Sequence, residues 1–478
     1  MATVDVVIMA AGKGTRMKSS IPKVLHRLAG RALLGHVVDT ATRLSPRRVV
    51  VITGHSADAV EGFIQKDESA QSAAAMQCVR QEPQLGTGHA VQQAVPHLPD
   101  DGTTLILNGD VPLIEAATLQ SLLDDSAGTR VALLTVDMPD PTGYGRIVRG
   151  DPAGRSASEG GRVHGIVEHK DASPTERTIR EVYTGVMAVP TKRLKDWLSR
   201  LTNDNSQGEY YLTDIVQLAV ADGAAVVATK TPDKVQVDGV NSPVQLAELE
   251  RAFQLRNAQR LLEQGVRLAD PARIDVRGEL ICAQDVDIDV NCVFEGKVSL
   301  GEGVKIGANC VIANATIAAG AVIHPFCHIE GGKTAKDMVQ VGEGALVGPF
   351  ARLRPGAQLG QEVHIGNFVE VKNSTLANGA KANHLAYLGD ATVGERVNYG
   401  AGSITANYDG ANKHRTVIGA DVHVGSNCVL VAPVNIGAGG TVGGGSTITK
   451  DTPAGALAVA RGRQAVFPNW QRPVKQPK

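Results

Sequence analysis

Apolar residues recur at every sixth position through most of the stretch 288–448. The series runs Ile288, Phe294, Leu300, Ile306 and Ile312, slips by one residue, and continues with Ile317, Ile323 and Ile329. It resumes as Val341, Val347, Leu353, Leu359, Ile365 and Val371, and closes as Ile418, Val424, Leu430, Ile436, Val442 and Ile448. An α-helix repeats near ~3.6 residues and a half-buried strand near ~2, so neither accounts for this period. Short strands stacked as a parallel β-helix do, because each coil buries its aliphatic residue only against the next. Small residues often follow the aliphatic one, as in Ile306-Gly307, Ile365-Gly366 and Ile436-Gly437, and suit corners where a Cβ would crowd the chain.

The first half follows another rhythm. Apolar runs at Val4–Met9, 49–52 and 104–107 alternate with helical stretches, which predicts an α/β doubly wound sheet. Ser242-Pro243 opens a helix with Leu246, Leu249, Phe253 and Leu261 on one side, and Gly265 stops it. Its arginines, Arg251, Arg256 and Arg260, read as a solvated face. The expected division is therefore 1–241, a linker helix 242–265, and a β-helix with its tail over 266–478.

Composition narrows the class. The 478 residues are 43% hydrophobic and 20% charged, and Lys+Arg 48 against Asp+Glu 49 leaves a net charge of -1. No overall basic field points to nucleic acid or a membrane surface. The N-terminal run lacks a basic start and a long apolar core, and no apolar run is long enough to span a bilayer. The six cysteines are scattered without a C-x-x-C pair and read as buried apolar residues in a reducing, cytoplasmic setting. His324, His328 and His364 fit no short metal-ligand spacing and read as structural.

Candidate chemistry sits where the strands end. Ala10-Ala11-Gly12-Lys13-Gly14-Thr15-Arg16-Met17 follows the first strand, a small-residue loop that lets backbone N–H groups approach phosphate. It matches neither the Rossmann nor the Walker pattern, and alone it could be ordinary turn chemistry. Lys23 lies shortly beyond it. Asn108-Gly109-Asp110 closes the 104–107 strand, where open α/β sheets bind ligands and hold metal; a capping role for Asp110 is the blander reading. In the repeat, the rhythm breaks near Leu376, before Val393, and at the insertion 406–413. Polar residues Arg352, Arg354, Glu370, Lys372, His384, Tyr387, Asn398, Asn407 and Tyr408 gather there. Solenoid insertions commonly bind ligands, though any one of these residues alone would more often be surface decoration.

Taken together, 10–17, Pro22-Lys23-Val24-Leu25, 84–90 and 108–113 resemble the sugar-1-phosphate nucleotidylyltransferases. Gly143-Tyr144-Gly145-Arg146-Ile147, 166–171, Gly208-Glu209-Tyr210-Tyr211-Leu212-Thr213-Asp214 and the hexapeptide tail narrow the resemblance. It is then to the bifunctional bacterial N-acetylglucosamine-1-phosphate uridylyltransferase/glucosamine-1-phosphate N-acetyltransferase family, over nearly the whole chain. The resemblance implies a nucleotidylyltransferase domain followed by a left-handed β-helix. It also implies Mg2+, acetyl-CoA as co-substrate, UTP and the two sugar phosphates as substrates, and a homotrimer. For the UTP and UDP-sugar site it implies Met9, Ala10, Ala11, Gly12, Gln81, Gly86, Thr87, Asn108 and Gly109. Arg16 and Lys23 would stabilise the phosphates, Asp110 and Asn241 would hold the metal, and Gly145, Glu168 and Tyr183 would face the sugar. The family usually carries Asn at the position of Tyr183; a phenol cannot reproduce an amide's paired donor and acceptor, so weakened or rearranged sugar binding is expected.

For the second site the resemblance implies His384 as general base, oriented by Glu370. Imidazole is the side chain suited to exchanging a proton near neutrality. Arg354, Lys372, Tyr387 and Asn398 would hold glucosamine-1-phosphate. Ala401, Asn407, Tyr408, Ser426, Gly444 and Arg461 would take acetyl-CoA. Without the surrounding motif, a satisfied core histidine would be the better reading of His384. Two rivals stand beside the bifunctional enzyme: a monofunctional nucleotidylyltransferase with a structural β-helix, and a non-catalytic assembly module.

Overall fold

The computed structural model describes residues 3–72, 75–150 and 161–475; Met1, Ala2 and the end of the tail, 476–478, lie outside them. The chain divides into two compact units, Met1–Phe253 and Gln254–Lys478. The boundary falls inside one helix, Pro243–Glu263, rather than at either end of it.

The first unit is built on a twisted sheet whose order is Val226–Lys230, Val131–Asp137, Glu181–Pro190, Thr103–Asn108, Val4–Met9, Arg48–Thr53 and Met76–Arg80. Neighbours are parallel except Glu181–Pro190, which runs antiparallel to both of its neighbours. Strand Val4–Met9 lies between Arg48–Thr53 and Thr103–Asn108. Chain order reverses there, which makes the carboxyl ends of these strands the topological switch point where open α/β sheets bind ligands. Alternate residues feed two apolar layers. Val6, Ile8, Val49 and Val51 face one side; Val7, Val50, Ile52 and Ile106 face the other.

The second unit is a parallel β-helix. Each coil pairs with the next in register, as Leu346 with His364 and Lys381 with Asn398. An 11-stranded sheet forms one face, and a 16-stranded sheet folds back on itself to form the other two. The fold-back is visible in Val311–Ile317, whose first half pairs with His328–Glu330 and whose second half pairs with Val339–Val341. Every member of the hexad series is buried in one continuous core. The slipped positions Leu376 and Val393 stay in register and buried too, so a lost residue shortens a corner and leaves the strands intact. The first coil is closed from one side by the helix. The Gln254 amide accepts from Val276 N (2.8 Å) and donates to Val276 O (3.0 Å).

Of the cysteines, Cys292, Cys310, Cys327 and Cys428 are buried as expected, whereas Cys78 and Cys282 are half-buried. Among the described residues no helix is long and apolar enough to cross a membrane.

Candidate functional sites

At the switch point of the first unit a cavity of about 490 Å3 opens between the loop after Val4–Met9 and the helix Thr87–Ala94. Met9, Ala10, Ala11, Gly12, Lys23, Gln81, Gly86, Thr87, Asn108 and Asp110 line it, all of them expected from the sequence. Lys13 of the same loop lines it as well, as do Val24, Gln84, Ala90 and Glu209, which lie in the matched segments but were assigned no role. Gln84 donates to Ala11 O (2.9 Å) and so holds the loop in place. Gln81 is buried and donates to Gly86 O (2.9 Å). Gly86 has φ +107, and a Cβ there would lie 2.6 Å from Tyr210 O, so only glycine lets the helix start this close to the neighbouring loop.

The charged centre of this site is compact. The Lys23 ammonium binds the Asp110 carboxylate and donates to Asn241 Oδ1 at 3.3 Å. One carboxylate and one amide oxygen therefore already converge on a cation, the hard-oxygen donor set that suits Mg2+ completed by phosphate and water. Among the described residues no group of three or more His, Cys, Asp or Glu converges to hold a metal. Gly109 donates to Met9 O (2.9 Å) and shapes the floor. Arg16 is exposed on the loop outside the cavity wall.

Gly145, Glu168 and Tyr183 form a separate group. Gly145 O accepts from Tyr183 N (2.9 Å), and a Cβ on Gly145 would stand 3.6 Å from Glu168 Oε1. Glu168 accepts from Thr213 Oγ1 (3.0 Å) and lines a second cavity of about 600 Å3 with Asp171, Tyr211 and Asp214. Burial holds the Glu168 pKa above the usual carboxylate range, opposed by the Thr213 hydrogen bond. The Tyr183 ring is buried in the apolar layer with Ile147, Ile166 and Met187, and its hydroxyl has no hydrogen-bond partner. Burial pushes its pKa well up.

In the second unit one corner of the β-helix gathers several of the residues assigned from the sequence to the second site. Asn367, His384, Ala401, Ser426 and Gly444 stack at equivalent positions of successive coils, because the residue after each donates to the one below. Leu385 N bonds Asn367 O (3.0 Å), Gly402 N bonds His384 O (3.3 Å), Asn427 N bonds Ala401 O (2.8 Å) and Gly445 N bonds Ser426 O (2.8 Å). Arg461 closes the column by donating to Gly444 O (2.7 Å). The sequence-derived acetyl-CoA residues Ala401, Ser426, Gly444 and Arg461 thus lie in line with His384.

His384 is exposed, and its Nδ1 meets Asn367 Oδ1 at 3.1 Å. With the amide oxygen as acceptor, Nδ1 is the donor, and in the neutral ring Nε2 keeps its lone pair. The side chain that meets His384 is Asn367, which sequence reasoning missed, rather than Glu370. Glu370 instead binds Arg354 (2.7 Å) and approaches Arg352 (3.9 Å). Tyr387 stands over Gly389, where a Cβ would lie 2.3 Å from its hydroxyl oxygen. Lys372 is held below the ordinary lysine range by contact with Lys413, by burial and by the charge of Arg354. Lys413 comes from the insertion, so the break in rhythm returns a second cation to this face. Asn398 is exposed on the next strand.

The insertion is anchored by Asp390. That buried carboxylate accepts from Asn373 Nδ2 (2.5 Å) and Asn407 Nδ2 (2.5 Å). The Asn407 amide is therefore turned inward, and the exposed Tyr408 donates to Gly410 O (2.6 Å).

Fold and sites together define a nucleotidyltransferase unit followed by a hexapeptide-type β-helix, a two-part transferase. The MobA-like NTP transferase domain family matches residues 6–203. The protein named Bifunctional protein GlmU of Albidiferax ferrireducens is 71% identical over 472 residues, 98% of this chain and 100% of that one. Its namesakes in Paracidovorax citrulli (70% identical over 100% of both chains) and Polaromonas naphthalenivorans (73%, over 99% of this chain and 98% of that one) match as fully. The chain belongs to the bifunctional GlmU family. It is an enzyme of UDP-N-acetylglucosamine synthesis, with uridylyltransferase and amino-sugar-phosphate acetyltransferase activities. Neither a monofunctional enzyme with a structural β-helix nor a non-catalytic module is favoured.

Proposed function

We propose that the two activities divide between the two units, uridylyl transfer at the 490 Å3 cavity and acetyl transfer at the His384 column. The observation that carries the reading is the His384–Asn367 contact, which leaves Nε2 as an acceptor in line with Ala401, Ser426 and Gly444. In acetyl transfer, Nε2 takes a proton from the amine of glucosamine-1-phosphate. The nitrogen then forms a bond to the thioester carbonyl carbon of acetyl-CoA, and the C–S bond breaks as coenzyme A leaves with a proton. Arg354, Lys372, Tyr387 and Asn398 hold the sugar phosphate, and Lys413 joins them. Asn407 supports the site through Asp390 while Tyr408 borders it.

In uridylyl transfer, a phosphate oxygen of N-acetylglucosamine-1-phosphate attacks the α-phosphorus of UTP and pyrophosphate leaves, a reaction served by positioning and charge neutralisation. Ala10, Ala11 and Gly12 approach the nucleotide by backbone, and Gln81, Gly86 and Thr87 border the uracil. Lys23 and Arg16 meet the phosphates, and Gly145 and Glu168 face the sugar side. Mg2+, held by Asp110 and Asn241, would supply further charge neutralisation. The enzyme works as a homotrimer in the cytoplasm on these small molecules.

The test is reciprocal. His384→Ala should lower thiol release from acetyl-CoA by ~10²–10⁴-fold and spare UTP-dependent pyrophosphate release; Lys23→Ala should do the reverse. A chelator should stop only pyrophosphate release. Equal loss of both activities in a folded single variant would overturn the division.

A further inference from the structure

His328–Glu330, Arg352–Leu353, Glu370–Lys372, Tyr387–Gly389 and Ile404–Ala406 stack in register as one face of the β-helix. Val339–Val341, Gln358–Leu359, Thr375–Leu376, Ala391–Val393 and Thr416–Ile418 stack as the next face. The corner that joins these two faces is short in most coils and long in two. It is drawn out at 331–338, where Ile329 to Val341 covers two hexad steps instead of one, and again at 407–415, the insertion that carries Lys413. Both loops therefore leave the same corner, four coils apart, about 19 Å at the ~4.8 Å spacing of paired strands. Between them the short corners begin at Arg354, Lys372 and Gly389, the ledge on which the sugar phosphate is placed above.

The first loop is tied down at both ends. From the coil below, Asn314 Nδ2 donates to Gly331 O (3.1 Å), and a Cβ on Gly331 would lie 2.0 Å from Asn314 O. At the other end Asp337 O accepts from Gly332 N (2.8 Å), which closes the loop, and from Gly356 N (3.0 Å), which joins it to the coil of Arg354. Thr334 Oγ1 donates to the Asp337 carboxylate (2.5 Å), so the loop's one acid is engaged internally. Its two cations, Lys333 and Lys336, are exposed and have no ion-pair partner among the described residues. Of the acids at the base of the loop, Glu330 faces His328 (3.9 Å) and Glu370 is held by Arg354 (2.7 Å).

We propose that Lys333 and Lys336 steer the phosphate of glucosamine-1-phosphate onto the Arg354–Lys372 ledge, the loop 331–338 being the lower of two basic arms that bracket it. The inference rests on the acetyl-transfer reading above and adds steering residues to that site. The upper arm already crowds positive charge there, since contact with Lys413 is the main cause that lowers the Lys372 pKa. A phosphate monoester dianion is the complement of such a field. The loop lies one coil below Arg354 and two below Lys372, roughly 5 Å and 10 Å along the stack. Those separations are comparable to the Debye length of about 8 Å at physiological salt, so the lysines act through space and without contact. They act on approach and not on proton transfer, because His384 stands at the opposite corner of the face, three coils above the loop. The column Ala401, Ser426 and Gly444 climbs away from the loop at that opposite corner, which assigns the arm to the sugar phosphate and not to the coenzyme.

The experiment is steady-state thiol release from acetyl-CoA by the full chain and by Lys333→Gln/Lys336→Gln at two salt concentrations. At ~20 mM salt the variant's kcat/KM for glucosamine-1-phosphate should fall by roughly three- to tenfold, and at ~0.5 M it should meet the parent's. The kcat, the KM for acetyl-CoA and UTP-dependent pyrophosphate release should not change. Lys333→Glu/Lys336→Glu should deepen the loss at low salt only, a response that a purely structural loop would not give. Parent-like kcat/KM at low salt would overturn the proposal, as would a loss that persists at high salt. A raised KM for acetyl-CoA alone would overturn it too, by turning the loop towards the coenzyme's phosphates. Arg354→Ala with an unchanged KM for glucosamine-1-phosphate would overturn the ledge itself, and the steering with it.

Discussion

Asp214 opens the helix Asp214–Ala221, half-buried against other acids. Burial, then the charges of Glu168 and Asp171, move its pKa from 3.8 to about 6. An acid with a raised folded pKa binds more protons folded than unfolded, so its contribution to stability falls as pH rises through that window and is lowest above it. Asp214→Asn should therefore raise the melting temperature at pH 7.5 by ~2–4 °C, a modest figure because solvent screens part of the cost. The gain should shrink towards zero near pH 4; a gain independent of pH would assign it to something other than this titration. Tyr183 makes a second residue-scale case. Its hydroxyl is buried without a partner, so Tyr183→Phe should leave the KM for the sugar phosphate unchanged and stability equal or higher. A raised KM would mean the phenol touches the sugar. The sequence marked position 183 as a departure, but not that the ring lies in the apolar layer. His384 was legible from its motif. Asn367 was not, because its contact depends on the coil below and no local pattern announces it.

Among the elements, the hexads were legible because an inward aliphatic residue has no alternative in a stack of short strands. The corner column of positive φ that includes Asn309, Phe350, Leu385 and Asn427 was not, since its residues share a backbone conformation and no side-chain type. The glycine after the aliphatic position has a strict reason at Gly366, where a Cβ would lie 1.9 Å from Asn383 O in the next coil. Gly366→Ala should destabilise the β-helix by ~1–3 kcal/mol or more, read as a lowered unfolding midpoint. It should also lower thiol release, because Asn367 would shift away from His384. An unchanged midpoint would show that the coils can part there at no cost. In the first unit, the loop and strand ends that line the 490 Å3 cavity were legible from small residues and one acid at strand termini. Glu209 and Gln84 stood in the matched segments, but their place at this cavity was not legible, since it depends on contacts with Gly86 and Ala11 across the fold.

At the scale of the molecule, the sequence predicted a linker helix between two domains, whereas compactness divides the chain within that helix, at Phe253 and Gln254. The periodicity of Leu246, Leu249, Phe253 and Leu261 is continuous and cannot reveal that its two ends serve different cores: Leu249 packs in the first unit, Leu261 in the second. The residue at that boundary has a consequence of its own. Among the described residues strand Ile274–Cys282 pairs with one neighbouring strand, Cys292–Leu300, and its outer edge has no strand beside it. Gln254 supplies at Val276 the donor and acceptor that another strand would have offered. A stack of parallel strands is a natural template for unlimited end-to-end growth. A single helical amide, by mimicking one rung of the ladder, blocks this end to fibre formation while the rest of the solenoid stays as regular as a fibre.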